Sequence, residues 1–134
     1  MSGSFIDTNI LVYLAANDSA KADRAQAIVD SGGTISVQVL NELTNVSRRK
    51  MRLSWVETRD FIALIRGLLA VAAVTIDTHE TGLAVAGRYG LSTFDAMIVA
   101  AALHADCDVL WSEDMQDGLV IEHRLRIADP FRAN

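Results

Sequence analysis

Short runs of β-branched and large apolar residues alternate along this chain with segments whose apolar residues recur at helical spacing, and no other feature constrains the fold as much. Parallel strands need long crossovers, usually helical, so the alternation implies a parallel sheet with helices on both faces. Phe5-Ile6 reads as a strand ending near Asp7, where the run breaks at Asp7-Thr8-Asn9; the following stretch, Ile10 to Leu14, fits strand or helix. Lys21 to Val29 is Ala-rich and stops at Ser31-Gly32-Gly33, as helices do. Thr34-Ile35-Ser36-Val37 is the second strand, after which Leu40, Leu43 and Val46 give a helix to about Arg49.

Ser54 caps a helix starting at Trp55, with Glu57 at the capping-box position and Phe61, Leu64, Ile65 and Leu68 as its apolar face. Val74-Thr75-Ile76 is the third strand candidate, and a helical segment from Leu83 to Arg88 ends at Gly90. Thr93 can cap a helix that holds Asp95 in its first turn and continues through Ala96 to Leu103. Val109-Leu110-Trp111 is a fourth strand and Leu119-Val120-Ile121 a short fifth. The expected fold is therefore α/β, a three-layer α/β/α sandwich around a short parallel sheet of four or five strands.

With 134 residues, the chain is long enough for one domain with a real core and too short for two. No apolar stretch approaches the roughly 20 residues of a membrane span. Cys107 stands alone, which excludes an internal disulfide and fits a reducing compartment. Together with a start, Met1-Ser2-Gly3-Ser4, that lacks the features of a secretory signal, this leads us to expect a cytoplasmic protein.

Five acids then acquire a common location. Asp7 falls at the end of strand one, Glu42 in the helix after strand two, Asp95 at a helix start beyond strand three, and Asp114 and Asp117 after strand four. Open α/β sheets bind ligands beyond the carboxyl ends of their strands. Each acid alone has an ordinary explanation: a turn or cap for Asp7, a solvated helix face for Glu42, a dipole partner for Asp95, an exposed loop for Asp114 and Asp117. As a set they suit a hard cation, Mg²⁺ or Mn²⁺, because oxygen donors dominate and no Cys/His cluster offers a zinc site. The net charge of −5 opposes nucleic-acid binding in bulk, yet without these five the remaining 12 of 17 acids balance the 12 Lys and Arg. Such a site on a phosphodiester substrate supports hydrolysis.

The chain resembles the PIN-domain ribonucleases, and among them the VapC-type toxins of bacterial toxin-antitoxin pairs. The resemblance rests on Phe5-Ile6-Asp7-Thr8-Asn9, on Ser36 with Val39-Leu40-Asn41-Glu42-Leu43, on Leu91-Ser92-Thr93-Phe94-Asp95-Ala96-Met97-Ile98, and on Leu110-Trp111-Ser112-Glu113-Asp114, in that order. It implies a single PIN domain over 1–134, catalytic and metal-binding roles for Asp7, Glu42, Asp95 and Asp114, and Asp117 as a fifth metal ligand. Thr8, Asn9 and Ser112 resemble the polar residues that support such a site. The implied function is Mg²⁺-dependent endoribonuclease toxin, and the implied partners are an RNA substrate, a homodimer mate and a cognate antitoxin.

Arg48-Arg49-Lys50 with Arg52 is the densest basic stretch and reads either as a phosphate contact or as the favourable positive end of a helix. Trp55 and Trp111 read as core or interface residues more readily than as base-stacking ones. A phosphotransferase of the haloacid-dehalogenase kind would need a second acid two residues after Asp7, where Asn9 stands. A PIN fold that binds RNA or protein without cutting is the alternative, but it would gain nothing from a clustered negative site that repels phosphate.

Overall fold

The computed structural model describes residues 3–16 and 19–132. The strand β1 (Gly3–Ile6) carries Phe5 and Ile6 fully buried at the centre of a six-stranded sheet of order β3-β2-β1-β4-β6-β5. β2 (Thr34–Ser36) and β3 (Ala70–Ala72) extend it on one side, and β4 (Cys107–Trp111), β6 (Leu125–Ala128) and β5 (Val120–Ile121) on the other. All neighbours are parallel except β5 and β6, which form an antiparallel pair. Among the described residues, six α-helices flank the sheet: α1 (Thr8–Val12), α2 (Ser19–Asp30), α3 (Val37–Arg49), α4 (Trp55–Leu68), α5 (Ile76–Tyr89) and α6 (Thr93–His104).

Two strand expectations need correction. The third strand is Ala70–Ala72, and the run Val74-Thr75-Ile76 serves another purpose: Thr75 N-caps α5, its hydroxyl accepting from the Thr78 N–H while Thr78 reaches back to the Thr75 N–H. Here β-branching supplies a capping hydroxyl, and the helix begins seven residues before Leu83. The sheet also has six strands, because β6 follows β5 through a tight turn in which Glu122 and His123 both take positive φ, 50° and 59°. Ile10 to Leu14 resolves as helix: α1 followed by a 3₁₀ turn at Tyr13–Ala15.

Side-chain caps set several helix starts. Ser36, the last residue of β2, caps α3 through Val39; Ser54 and Glu57 form the capping box of α4; and Ser92, one residue before the expected Thr93, caps α6. Gly32, at φ 81°, lets the chain leave α2 and turn into β2, a conformation costly for any residue with a Cβ. The helix α6 is buried on all sides from Ala96 to Leu103, so its Ala-rich sequence keeps neighbours close. Against it α5 presents Gly82, where an added Cβ would lie 2.5 Å from the Met97 Sδ. Among the described residues, no helix is long and apolar enough to cross a membrane.

Candidate functional site

The chain leaves β1 in one direction towards β2 and β3 and later returns on its other side with β4, so the sheet changes direction between β1 and β4. Asp7 follows β1 at that point, its N–H donating to the Trp111 carbonyl at the end of β4 (3.0 Å). Ligand crevices form where strand order reverses. The crevice here is lined by Asp7, Glu42, Asp95 and Asp114, together with Asn45 and Lys50.

Asp7 is only 5% exposed, and its carboxylate is held from three sides. Oδ1 accepts from the Thr8 N–H (2.7 Å), which makes Asp7 the N-cap of α1; Oδ2 accepts from the Ser112 hydroxyl (2.8 Å) and the Asn9 amide (3.2 Å). The capping and crevice-lining readings of this residue are therefore both true at once. Burial pushes its pKa up from 3.8 to about 6; the bonds from Ser112 and Thr8 oppose the rise, and the charges of Glu42 and Asp95 add to it. Glu42 accepts from the Thr8 hydroxyl (2.7 Å) and from Gln38 (2.8 Å). Asp95 titrates above its ordinary range because of burial, with Glu42 and Asp114 contributing repulsion against the opposing Ser92 bond.

Asp7 thus lies in the field of Glu42 and Asp95, and Asp95 in that of Glu42 and Asp114. Among the described residues, none of the four is ion-paired with a Lys or Arg. An all-oxygen set with uncompensated charge fits a hard divalent cation. Among the described residues, no three acidic, His or Cys side chains gather closely enough to hold a metal ion between them.

The PIN-domain family model matches residues 4–116, a stretch that contains every acid of the crevice. The chain belongs to the PIN-domain family. Among solved structures, the PIN fold seen here is similar to a toxin-antitoxin complex from Klebsiella pneumoniae (21% identity, TM-score 0.72, covering 97% of this chain and 99% of that one). It is also similar to the VapC20 toxin of Mycobacterium tuberculosis, described as cleaving the sarcin-ricin loop (22% identity, TM-score 0.67, covering 83% and 91%). VapBC2 from Rickettsia felis, solved bound to a DNA fragment from its promoter, matches at 18% identity and TM-score 0.60, covering 83% and 87%. No curated protein matches the sequence.

Asp117 is not brought into the PIN crevice. Its Oδ1 accepts from the Asp129 N–H (2.8 Å) and its Oδ2 lies 3.9 Å from the Arg132 Nε, so it ties its loop to the C-terminal segment. Its neighbour Glu113, passed over in the sequence, does line the crevice: it takes bonds from the Tyr13 hydroxyl (2.7 Å) and the Lys21 Nζ (2.6 Å), while its N–H donates to Asn9. Nothing in the spacing separates Glu113 from Asp114; their order is set by the bend after β4. Of the basic stretch, Lys50 lines the crevice, whereas Arg48 bonds the Leu53 carbonyl (2.7 Å) and lies over the Trp55 ring (4.3 Å). Arg49 and Arg52 are exposed, and Arg52 occupies positive φ at 56°. Trp55 is 56% exposed and is no core residue; Trp111 is half-buried with Arg24 over its ring.

Proposed function

We propose that this protein is a Mg²⁺-dependent endoribonuclease, with Mn²⁺ as a substitute, acting as the toxin of a toxin-antitoxin pair in the cytoplasm. The observation that carries the reading is the buried, three-times-bonded Asp7 carboxylate sharing its field with Glu42 and Asp95 and lacking any cation partner among the described residues. Asp7, Glu42, Asp95 and Asp114 are the residues we assign to metal and catalysis. Bound there, a divalent cation would lower the pKa of a water and offset charge on the scissile phosphate. Ser112, Asn9 and the Thr8 N–H hold Asp7 in one rotamer, and the Thr8 hydroxyl and Gln38 do the same for Glu42, so neither carboxylate must reorganise when charge develops. An antitoxin covering the crevice is the partner we infer, in line with the toxin-antitoxin assemblies among the similar structures, and we propose a homodimer mate besides.

The direct test incubates the protein with structured RNA. Cleavage is expected with Mg²⁺ or Mn²⁺, to be lost with EDTA and in Asp95→Asn, and expression without an antitoxin should arrest growth unless Asp95 is replaced. Cutting that persists in EDTA and in the variant would refute the assignment. Ser112→Ala removes a donor that favours the charged form of Asp7, so the Asp7 carboxyl should ionise at still higher pH. The acid limb of the pH–rate profile should move towards alkaline pH, with activity near pH 6 falling about tenfold and recovering in part above pH 8. An unmoved limb would show that Asp7 ionisation does not govern the rate.

A further inference from the structure

Half of the chain's cations lie between residues 48 and 66: Arg48, Arg49, Lys50, Arg52, Arg59 and Arg66. None of the six forms an ion pair among the described residues, whereas Lys21, Arg88, Arg124 and Arg132 all do. Only Glu57 and Asp60 oppose them between residues 43 and 69, so this part of a chain of net charge −5 carries a formal +4. Arg59 and Arg66, two turns apart on α4, line a groove of about 580 Å³ whose other walls include Trp55, Ile62 and Thr44. The groove and the acidic crevice are both built partly on α3, from different faces: Thr44 lines the groove, while Glu42, Asn45 and Val46, on roughly the opposite side of the helix, line the crevice. Lys50, one residue past α3, lines the crevice itself.

We infer that the α4 face bearing Arg59 and Arg66, with Trp55 at its start, is a phosphate track that holds single-stranded RNA running out of the acidic crevice past Lys50. This rests on the ribonuclease reading and adds the surface that holds the substrate. An acidic crevice repels a polyanion, so affinity must come from cations outside it; Lys50 at the end of α3 is the step from the crevice to the α4 face, whose arginines form no ion pair among the described residues. Along the helix Arg59 and Arg66 stand roughly 10 Å apart, far enough to meet separate phosphates. The Arg48 guanidinium at 4.3 Å from the Trp55 ring centroid braces an indole that is 56% exposed, and an exposed, braced ring offers a base a stacking face.

The test is fluorescence anisotropy of a short labelled single-stranded RNA in EDTA, which prevents cutting, across a salt titration. Arg59→Ala/Arg66→Ala should weaken binding about tenfold or more and reduce the salt slope by about 1.4, two phosphate contacts at 0.7 each for a single strand. The control Arg24→Ala/Arg126→Ala removes the same charge elsewhere and should leave the slope near that of wild type. Equal weakening by both pairs, or an unchanged slope in the first, would overturn the track, and an acidic peptide that binds this face while RNA affinity is unchanged would reassign it to a protein partner. With Mn²⁺ and bis(p-nitrophenyl) phosphate, which has no chain to reach α4, the Arg59/Arg66 variant should match wild type. If wild type hydrolyses neither this ester nor RNA while the slope still falls, the nuclease reading fails and the track stands.

Discussion

Asp7→Asn should yield a protein that is inactive and, without metal, more stable at neutral pH than wild type. The activity loss should be about 10²-fold or greater, since even residues that only support metal ligands cost 10 to 100-fold. The gain in stability follows from the titration. With the carboxyl pushed up from 3.8 to about 6, the folded state holds a proton that the unfolded chain has already released, so stability falls as pH rises from about 4 to 6 and stays low above that. A shift of this size corresponds to roughly 3 kcal/mol of cost for the buried charge at pH 7. Asn removes the charge but returns part of the gain, because its amide faces the Asn9 Nδ2, which is left with only its 3.4 Å bond to the Ser112 Oγ; a net gain of about 1 to 2 kcal/mol is expected. Urea unfolding in EDTA at pH 7.5 and pH 4 checks it: the advantage should be present at the first and shrink at the second. Saturating Mg²⁺ should stabilise wild type and leave the variant nearly unmoved. A variant less stable than wild type at pH 7.5 in EDTA would mean that the charge at Asp7 is compensated within the fold.

Leu110→Ala should cost about 3 to 5 kcal/mol, a large fraction of the stability of a domain this size. Leu110 is fully buried in β4, opposite Phe5 of β1 and Ile127 of β6, where neighbouring strands leave little room to collapse into a cavity. The effect should show as a lower urea midpoint at unchanged m-value, followed by fluorescence of Trp111 and Trp55. Because the Trp111 carbonyl receives the Asp7 N–H, loosening β4 should also weaken metal-induced stabilisation. A cost below 1 kcal/mol would show that the sheet centre relaxes around the lost side chain.

Local signals that act within a few residues were legible in the sequence. The Ser31-Gly32-Gly33 stop, the Ser54–Glu57 capping box and the helical spacing of Leu40, Leu43 and Val46 each appear in the structure where expected. Misreadings arose where one residue type serves two purposes. Val74-Thr75-Ile76 has the composition of a strand, but Thr75 spends its hydroxyl on a cap; Leu125–Ala128, with Arg126 interrupting its apolar residues, becomes a strand through pairing with β4. In the crevice, Asp7, Glu42, Asp95 and Asp114 could be grouped by their positions after strands or on helices, because parallel topology sends those positions to one edge. The exchange of Asp117 for Glu113 could not be read, since it depends on the direction of a loop stapled to Asp129 and Arg132. The exposure of Trp55 depends likewise on how α4 packs beside α3.

The order of strands in the sheet also sets a timetable. β4 lies between β1 and β6, and the Ser112 N–H that fixes the bend after β4 donates to the Ala128 carbonyl at the end of β6. In a chain emerging from the ribosome, β1 and β2 can pair early, but Asp7 lacks the Ser112 hydroxyl and the Trp111 carbonyl until a stretch 105 residues further on has been translated. The crevice is thus completed only after β4 and the bend that follows it have emerged, long after β1 itself.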